Sequence, residues 1–481
     1  MTLSPRSPRK YHRLSAKYLR WMSLLVTALA AQTVAGVASA QTPPPPDPPP
    51  VDVPPDEARS LEEEPGVESE DVALLAPRAV LFVPSVVLGA VFWPLQKGLR
   101  AIERNHVIEH VEDFFYNDER TAGVLPTVSI GAGGFGLQLG ARAFHEDLGG
   151  HGESGSAQAL FGLNGQQVYI LSFEAERVGG SPLWLETKTA YERHPSLRFW
   201  GIGSGDGRAL GGADLNPRSA EVETDYEHRR FRLINTAGVT LGPEDLEVKL
   251  GARSRYKRHD FDRPIAAART GVRSLQDVYD TSLVPGYDFG ATVMEAEGLV
   301  VFDTRDKRGA TANGFYAEAF AGGALPFRDY EYARFGGELT GYIDLYGGDR
   351  VLVLRAALDA VEGQASEIPF VELPYLGGPN RLRGYPLYRF RDEKALFGTV
   401  EYHYPIHELL GGSLYVDVGE VAPTLAGLVR EPDFHVGFGG GLIFRDKKRV
   451  IFTLDVAGGD GVQIYATSDP LRAFADRDDE L

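Results

Sequence analysis

The feature that most constrains this chain is a series of segments, beginning at residue 125, in which apolar and polar residues alternate. Alternation with a period of two places successive side chains on opposite faces of a β-strand. A transmembrane strand needs about 9–11 residues, with apolar side chains on its outer face and polar or small ones inside. Sixteen segments of this kind lie near 125–133, 135–145, 156–164, 167–177, 182–193, 219–239, 245–258, 287–303, 313–325, 330–347, 350–362, 393–406, 411–420, 433–445, 448–457 and 460–468.

The connections between these segments fall into two classes of length. The long ones are 194–218, 259–286, 363–392 and 421–432. Short ones lie between them, at 242–245, 347–349 and 446–448, although 146–155 is long for a turn. Short turns opposite long loops are typical of an outer-membrane barrel. A soluble β-sandwich also has many short strands, but it does not explain an even strand count, two loop classes and an export signal together.

The sequence therefore predicts an all-β fold, a transmembrane antiparallel β-barrel of about 16 strands, over residues 123–474. Residues 475–481 form a short tail after it.

The first forty residues have the organisation of a signal peptide. Six basic residues lie between positions 6 and 20, an apolar core covers 21–37, and Ala38-Ser39-Ala40 forms a small-residue cleavage site. This order of charge, apolar core and small residues is typical of export signals. An uncleaved anchor helix is the alternative. Together with the barrel pattern, the signal peptide predicts that the protein is located in the outer membrane of a Gram-negative-type bacterium.

Two further segments precede the barrel. Residues 41–76 are rich in proline and acidic residues and predict an extended, disordered linker. In 77–122, apolar residues recur at helical spacing from 95 to 115, with charged residues on the other faces. This indicates a short amphipathic helical segment, lying either on the membrane surface or under the barrel mouth, or packed against protein.

Composition excludes several classes of function. The chain has no cysteine, so disulfide frameworks and thiolate chemistry are absent. Its formal net charge of −18 argues against nucleic acid as a partner, because a nucleic-acid binder needs a basic face. The sequence predicts no cofactor and no metal site.

Two short motifs suggest enzymes but lack the required context. His106, Glu109 and His110 match an inverted zinc-protease pattern, yet a third ligand and a catalytic domain are missing from the sequence. The glycines of 131–136 match a dinucleotide-binding pattern, but a strand pattern continues after them where that site needs a helix. We expect a tight barrel hairpin there, and the sequence does not support an enzyme.

The longest loop carries the most distinctive motif. Leu382-Arg383-Gly384-Tyr385 resembles the loop signature of the bacterial surface antigen family, the barrel domains of the outer-membrane assembly and two-partner-secretion superfamily of the BamA and TamA type. Three more stretches fit in the order of that family, namely 303–306 (Asp-Thr-Arg-Asp), 398–401 (Gly-Thr-Val-Glu) and 415–419 (Tyr-Val-Asp-Val-Gly). The resemblance covers residues 120 to 474.

The resemblance implies a luminal latch. The loop folds back into the barrel, and Arg383 meets Glu401 and Asp417 on the next two strands. A planar guanidinium can bridge two carboxylates. Tyr385 would pack beside this contact, and Gly384 would allow a close backbone turn. A solvated surface arginine is the alternative that the residues alone leave open.

The resemblance also implies that Asp303, Arg305 and Asp306 form a structural strand-to-turn motif near the barrel mouth. A solvated, charged turn is the alternative at these positions.

The resemblance further implies insertion or translocation of polypeptides at the outer membrane. The partners implied are outer-membrane lipids, with client polypeptides or a periplasmic partner protein. The short segment before the barrel leaves no room for the periplasmic repeat (POTRA) domains of larger family members. A passive porin-like channel and a surface-exposed structural or adhesive barrel remain alternatives.

Overall fold

The computed structural model describes residues 115–130, 136–205, 213–242, 246–265, 272–306, 311–327, 330–347, 350–430, 432–445 and 450–467. The predicted signal peptide, linker and tail lie outside these ranges, as do the pattern at 106–110 and most of 77–122 and of 131–136. The amphipathic helix therefore stays a prediction.

Within the described ranges, sixteen antiparallel strands follow one another around a closed sheet. They are β1 (Ala122–Ile130), β2 (Leu137–His145), β3 (Ser154–Gly162), β4 (Gln167–Ala175), β5 (Leu183–Phe199), β6 (Thr224–Leu241), β7 (Glu247–Asp262), β8 (Ala291–Asp303), β9 (Gly314–Phe327), β10 (Tyr330–Asp344), β11 (Val351–Glu362), β12 (Lys394–His407), β13 (Leu410–Ala422), β14 (His435–Arg445), β15 (Val450–Gly459) and β16 (Gly461–Thr467). Each pairs with its neighbours in the chain, and β16 pairs with β1. The predicted sixteen-stranded antiparallel barrel is confirmed.

The connections contain only small elements in the described residues. Two-residue strands lie at Arg273–Ser274, Tyr375–Leu376 and Phe390–Arg391. The 3₁₀ helices are Val178–Gly180, Leu275–Asp277, Thr281–Leu283 and Phe370–Glu372, and the short α1 is Gly427–Arg430. In this part of the chain no helix has both the length and the apolar character needed to cross a membrane.

The alternation of the sequence becomes a division between lumen and exterior. On β6, Arg230 and Arg232 are buried inside while Phe231 between them is 36% exposed on the outside. The same arrangement recurs around the barrel, with large apolar side chains exposed at Leu139, Phe161, Leu171, Leu250, Met294, Phe302, Leu339, Leu354, Val400, Val416, Phe438 and Ile464. A barrel with an apolar outer face and a charged interior suits a lipid environment.

The long loops gather at one end of the barrel. They connect β5 to β6 (200–223), β7 to β8 (263–290), β11 to β12 (363–393) and β13 to β14 (423–434). Strand β5 is longer than its predicted segment, ending at Phe199 where the pattern predicted 193, because a register shift between His194 and Leu197 absorbs Pro195. Proline cannot donate to a strand ladder, so a bulge accommodates it.

The loop 363–393 packs inside the ring of strands. Phe370 is fully buried and lies 5.6 Å from the rings of Phe199 and Tyr226 and 5.1 Å from Phe261. Its backbone N–H donates to the carbonyl of Pro285 in the neighbouring loop. These contacts make the loop part of the barrel core, where it shares one aromatic cluster with β5, β6 and β7.

The ring closes between β16 and β1. In the described residues, β16 and β1 are in register at two positions, Ser129 with Thr467 and Ile130 with Ala466. We call the junction of β1 and β16 the seam.

Candidate functional site

The segment that presents Arg383 is a tight reversal between β11 and β12. Gly377 and Gly378 have φ angles of 103° and 97°, a region that favours glycine because it has no Cβ. A Cβ on Gly377 would lie 2.1 Å from the carbonyl oxygen of Pro386. The amide of Gly378 donates to the carbonyl of Tyr385 at 2.9 Å. This reversal turns Arg383 toward the wall formed by β12 and β13.

Arg383 joins two carboxylates on adjacent strands. Its Nε and Nη2 donate to Oδ2 and Oδ1 of Asp417 at 2.9 and 2.8 Å. Its Nη1 donates to Oε2 of Glu401 at 2.8 Å, and its backbone N–H donates to Asp417 at 2.9 Å. The two carboxylates meet because Asp417 of β13 lies opposite Thr399 of β12, two positions from Glu401.

This cluster is withdrawn from solvent. The side chains of Arg383, Glu401 and Asp417 are 12%, 9% and 0% exposed. Removal of one partner from a buried ion pair leaves the other charge desolvated, at a cost of about 3–5 kcal/mol. The guanidinium is therefore a strong structural link between the loop and the barrel wall.

Neighbouring side chains complete the hydrogen bonds of the two carboxylates. Thr399 donates to Oδ1 of Asp417 at 2.9 Å, and Nε2 of His403 lies 2.8 Å from Oε1 of Glu401. The guanidinium carbon of Arg383 lies 3.3 Å from the centroid of the Tyr415 ring, a cation–π contact. Each member of the cluster is thus held by more than one partner.

Gly384 and Tyr385 lie at the edge of the same cluster. A Cβ on Gly384 would lie 2.2 Å from the carbonyl oxygen of Gly458 on β15, so the need for glycine here is close approach of two backbones. The Tyr385 ring packs 5.2 Å from Phe390 and 5.8 Å from His435. The structure therefore brings all five residues of the expected latch to one place on the barrel wall.

A second carboxylate of this loop is buried on the other side of the lumen, and sequence reasoning missed it. Glu372 is 4% exposed and accepts hydrogen bonds from Nζ of Lys257 at 2.8 Å and Nε2 of His259 at 3.1 Å. Nη1 of Arg334 lies 3.6 Å away. Burial alone would raise the pKa of Glu372, but Lys257, His259 and Arg334 outweigh it and hold that pKa well below the ordinary 4.5.

The partners of Glu372 belong to a wall of paired charges. Basic residues occupy every second position from 253 to 259 on β7. Arg255 donates to Glu297 of β8 at 2.8 and 2.9 Å, and Lys257 lies 3.0 Å from Glu295. That alternation was the available sequence signal, because a strand with basic residues on one face needs acidic partners when buried. We call Glu372 with Lys257 and His259 the second anchor.

Asp303, Arg305 and Asp306 lie in the turn after β8, at the end of the barrel opposite the long loops. Nε and Nη2 of Arg305 donate to both oxygens of Asp303 at 2.9 and 2.7 Å. The amide of Ala312 donates to Oδ1 of Asp306 at 3.0 Å, and the guanidinium of Arg305 lies over the Tyr316 ring at 4.8 Å. These bonds hold the end of β8 next to the start of β9. The turn is separate from the cluster of Arg383, Glu401 and Asp417.

Across the described ranges, no group of three or more His, Asp or Glu side chains could hold a metal ion. The described contacts of the site are ion pairs, hydrogen bonds and close backbone approaches.

The chain is similar to solved structures of BamA and CdiB. BamA from Haemophilus ducreyi lacking POTRA domains 1–3 is 15% identical over 72% of this chain and 70% of that chain, with a TM-score of 0.48. CdiB from Escherichia coli is 9% identical over 72% and 62%, with a TM-score of 0.50, and CdiB from Acinetobacter baumannii is 10% identical over 72% and 59%, with 0.46. The chain thus spans about three fifths of the two CdiB structures. The match to the Escherichia coli protein shows a shared barrel fold.

A search of the curated proteins found no match. The family model described as the Omp85 superfamily domain matches residues 147–446, which is more than half of the chain. The resemblance read from the four motifs is thereby confirmed, and the chain belongs to the Omp85 superfamily.

Proposed function

We propose that this protein lies in the outer membrane of a Gram-negative bacterium and acts there in the insertion or translocation of polypeptides. Membership of the superfamily supports the class of function. The apolar outer face supports lipids as the surrounding partner. Client polypeptides, with or without a periplasmic partner protein, are the remaining partners of this proposal.

The observation that carries the proposal is a ring closed by its first and last strands, with a strongly held loop inside it. The seam is the one junction of the sixteen-stranded ring, as described, whose two strands are not consecutive in the chain, so opening it leaves the pairing of consecutive strands intact. An opened strand edge presents N–H and C=O groups that an incoming strand can pair with. The seam is thus the place where the barrel wall can admit a client strand.

The loop 363–393 is held inside the lumen at two places. Arg383 holds one side of it to Glu401 and Asp417, and Glu372 holds the other side to Lys257 and His259. A loop anchored on both walls occupies part of the lumen. In the porin-like alternative the same loop only narrows the pore, so the experiment below separates the two functions.

The test uses Arg383→Ala and Asp417→Ala, singly and together, in liposomes. Folding is read from heat-modifiable gel mobility, and activity from the insertion of a test barrel protein. The matched control is Arg258→Ala with Asp260→Ala, an exposed ion pair on the outer face of β7 whose side chains are 60% and 44% exposed. We expect the latch variants to fold and to lose insertion, with the double variant no worse than either single variant.

Two outcomes would contradict this proposal. A wild-type protein that conducts ions without aiding insertion, and variants that only widen the conductance, would favour the channel. A wild-type protein inactive in both assays, whose loops are cleaved by protease on intact cells and capture a surface ligand, would favour the adhesive barrel.

A further inference from the structure

Residues 383–385, the tip of the loop 363–393, also contact β16, one of the two strands that form the seam. The hydroxyl of Tyr465 on β16 lies 3.0 Å from the carbonyl oxygen of Arg383 and 3.1 Å from that of Tyr385. Because both acceptors are carbonyls, the hydroxyl is the donor to either one. Tyr465 is 1% exposed, so these carbonyls lie where water does not compete for the bond.

A second contact holds the same tip to the turn between β15 and β16. The amide of Asp460 donates to the carbonyl of Gly384 at 2.9 Å. Nε of Arg389 donates to the carboxylate of Asp460 at 3.1 Å. The carbonyls of Arg383, Gly384 and Tyr385 therefore all lie within hydrogen-bond distance of a donor on the last hairpin of the barrel.

Glycines make this approach possible. A Cβ on Gly384 would lie 2.2 Å from the carbonyl oxygen of Gly458, and one on Gly459 would lie 2.7 Å from the carbonyl oxygen of Gly384. Gly437 of β14 lies on the other side, where a Cβ would be 2.9 Å from the amide nitrogen of Gly384. The loop tip therefore rests directly on the hairpin backbone, with no side chain between them.

The position of Tyr465 in β16 connects these contacts to the seam. The next residue, Ala466, pairs with Ile130 of β1, and β16 is paired with β15 on its other edge. A shift of Tyr465 with the loop would therefore move the residues that close the barrel.

We propose that Tyr465 is a positioning residue that couples the Arg383 latch to the seam. With the latch closed, the Tyr465 hydroxyl and the Asp460 amide hold the last hairpin against the loop, and the seam stays paired. Release of Arg383 from Asp417 withdraws the carbonyl acceptors and lowers the cost of opening the seam. This coupling rests on the proposed function for its purpose, since insertion then needs a latch that both releases and re-forms, which the Arg383→Ala and Asp417→Ala variants cannot do.

The test measures hydrogen–deuterium exchange of the folded barrel in liposomes, without a client. We expect Tyr465→Phe to speed exchange in 461–467 about fivefold, the factor for one hydrogen bond of about 1 kcal/mol. Coupling is reciprocal, so exchange in 379–388 rises as well. Arg383→Ala has the same effect on 461–467, and the double variant adds little to either single variant.

Tyr191→Phe is the matched control, because this tyrosine faces outward on β5 and is 37% exposed. Exchange in 461–467 should not change in this control. If Tyr465→Phe does not fold, Gly384→Ala tests the same coupling, since its methyl group displaces the tip from Gly458 and removes none of the side chains involved.

Unchanged exchange in 461–467 in both Tyr465→Phe and Arg383→Ala would overturn the coupling. Effects of the two substitutions that multiply in the double variant would also overturn it, because independent sites behave in that way. The exchange readout needs no insertion activity. A protein that shows the coupling but inserts nothing would therefore refute the proposed function and leave the coupling standing.

Discussion

Asp417 binds both the side chain and the main chain of Arg383. Its carboxylate accepts from Nε and Nη2 of the guanidinium and from the backbone N–H of the same residue, at 2.8–2.9 Å. The loop residue and the strand residue are 34 positions apart in the chain, and these bonds fix them relative to each other. The loop backbone is therefore held in place as well as the charge of Arg383.

This geometry makes Arg383→Lys a poor replacement. An ammonium group is a point charge and cannot donate to Asp417 through two parallel bonds while also reaching Glu401. We expect the variant to lose about 1.5–3 kcal/mol of unfolding free energy, the range for hydrogen bonds to charged groups. Urea titration followed by heat-modifiable mobility measures this loss. Arg258→Lys, at an exposed pair, should change the free energy of unfolding by less than about 0.5 kcal/mol. An equal change in both variants would contradict the role of the planar guanidinium.

The second anchor predicts a stabilisation that depends on pH. The pKa of Glu372, in the loop, is held below its ordinary 4.5 by Lys257 and His259 after the opposing effect of burial. A lowered pKa in the folded state stabilises the fold above the unfolded-state pKa, and this stabilisation is lost as the pH falls through the lowered value. The contribution of Glu372 is therefore complete at neutral pH and disappears in acid below 4.5.

Glu372→Gln tests this dependence. We expect the variant to unfold about 1.5–3 kcal/mol more easily than wild type at pH 7, because the charge-assisted bonds from Lys257 and His259 are lost. In urea titrations repeated at falling pH, the difference should stay constant until the pH reaches the ordinary value of 4.5 and shrink below it. The half-buried Glu367→Gln in the same loop serves as the control. A difference for Glu372→Gln that is constant from neutral to acid pH would refute the ionic role of this anchor.

The turn motif predicts stability without a role in activity. Arg305→Ala removes a two-bond link to Asp303 and the contact with Tyr316. The Arg305 side chain is 20% exposed, so we expect a loss of about 1 kcal/mol, near the upper limit for exposed pairs. Insertion in liposomes should remain at the wild-type rate once the variant is folded. A folded variant that has lost insertion would give this turn a functional role.

The barrel could be predicted from the sequence because the signal for its strands lies in the alternation of neighbouring residues. Period-two alternation reports which side chains face lipid and which face the lumen, and it located all sixteen strands. The ends of β5 and β6 were less accurate. Pro195 interrupts the alternation, and the structure continues the strand through a bulge to Phe199. Such a bulge depends on the pairing partner, which alternation does not report.

Only part of the site could be predicted from the sequence. Family motifs indicated Arg383, Glu401 and Asp417, whereas Glu372 and Tyr465 belong to no motif. Glu372 stands in the apolar stretch 368–376, and its partners lie more than 100 positions away on β7. Tyr465 looks like any inward aromatic residue of a strand. Its significance comes from the loop backbone that folds onto it, and a backbone acceptor leaves no signature in the sequence.

The most direct measurement concerns the seam. Cysteines introduced as Ile130→Cys and Ala466→Cys occupy paired positions on β1 and β16, at a separation that a disulfide can span. The natural chain has no cysteine, so this disulfide is the only one that can form. A pair placed at Leu139 and Phe161 on β2 and β3 controls for oxidation itself.

Insertion of a test barrel protein into liposomes is then compared before and after reduction. We predict that the oxidised seam variant is inactive, that reduction restores the wild-type rate, and that the β2–β3 control is active in both states. An oxidised seam variant that inserts its client as fast as the reduced one would contradict the account, because the client would then enter without the seam opening.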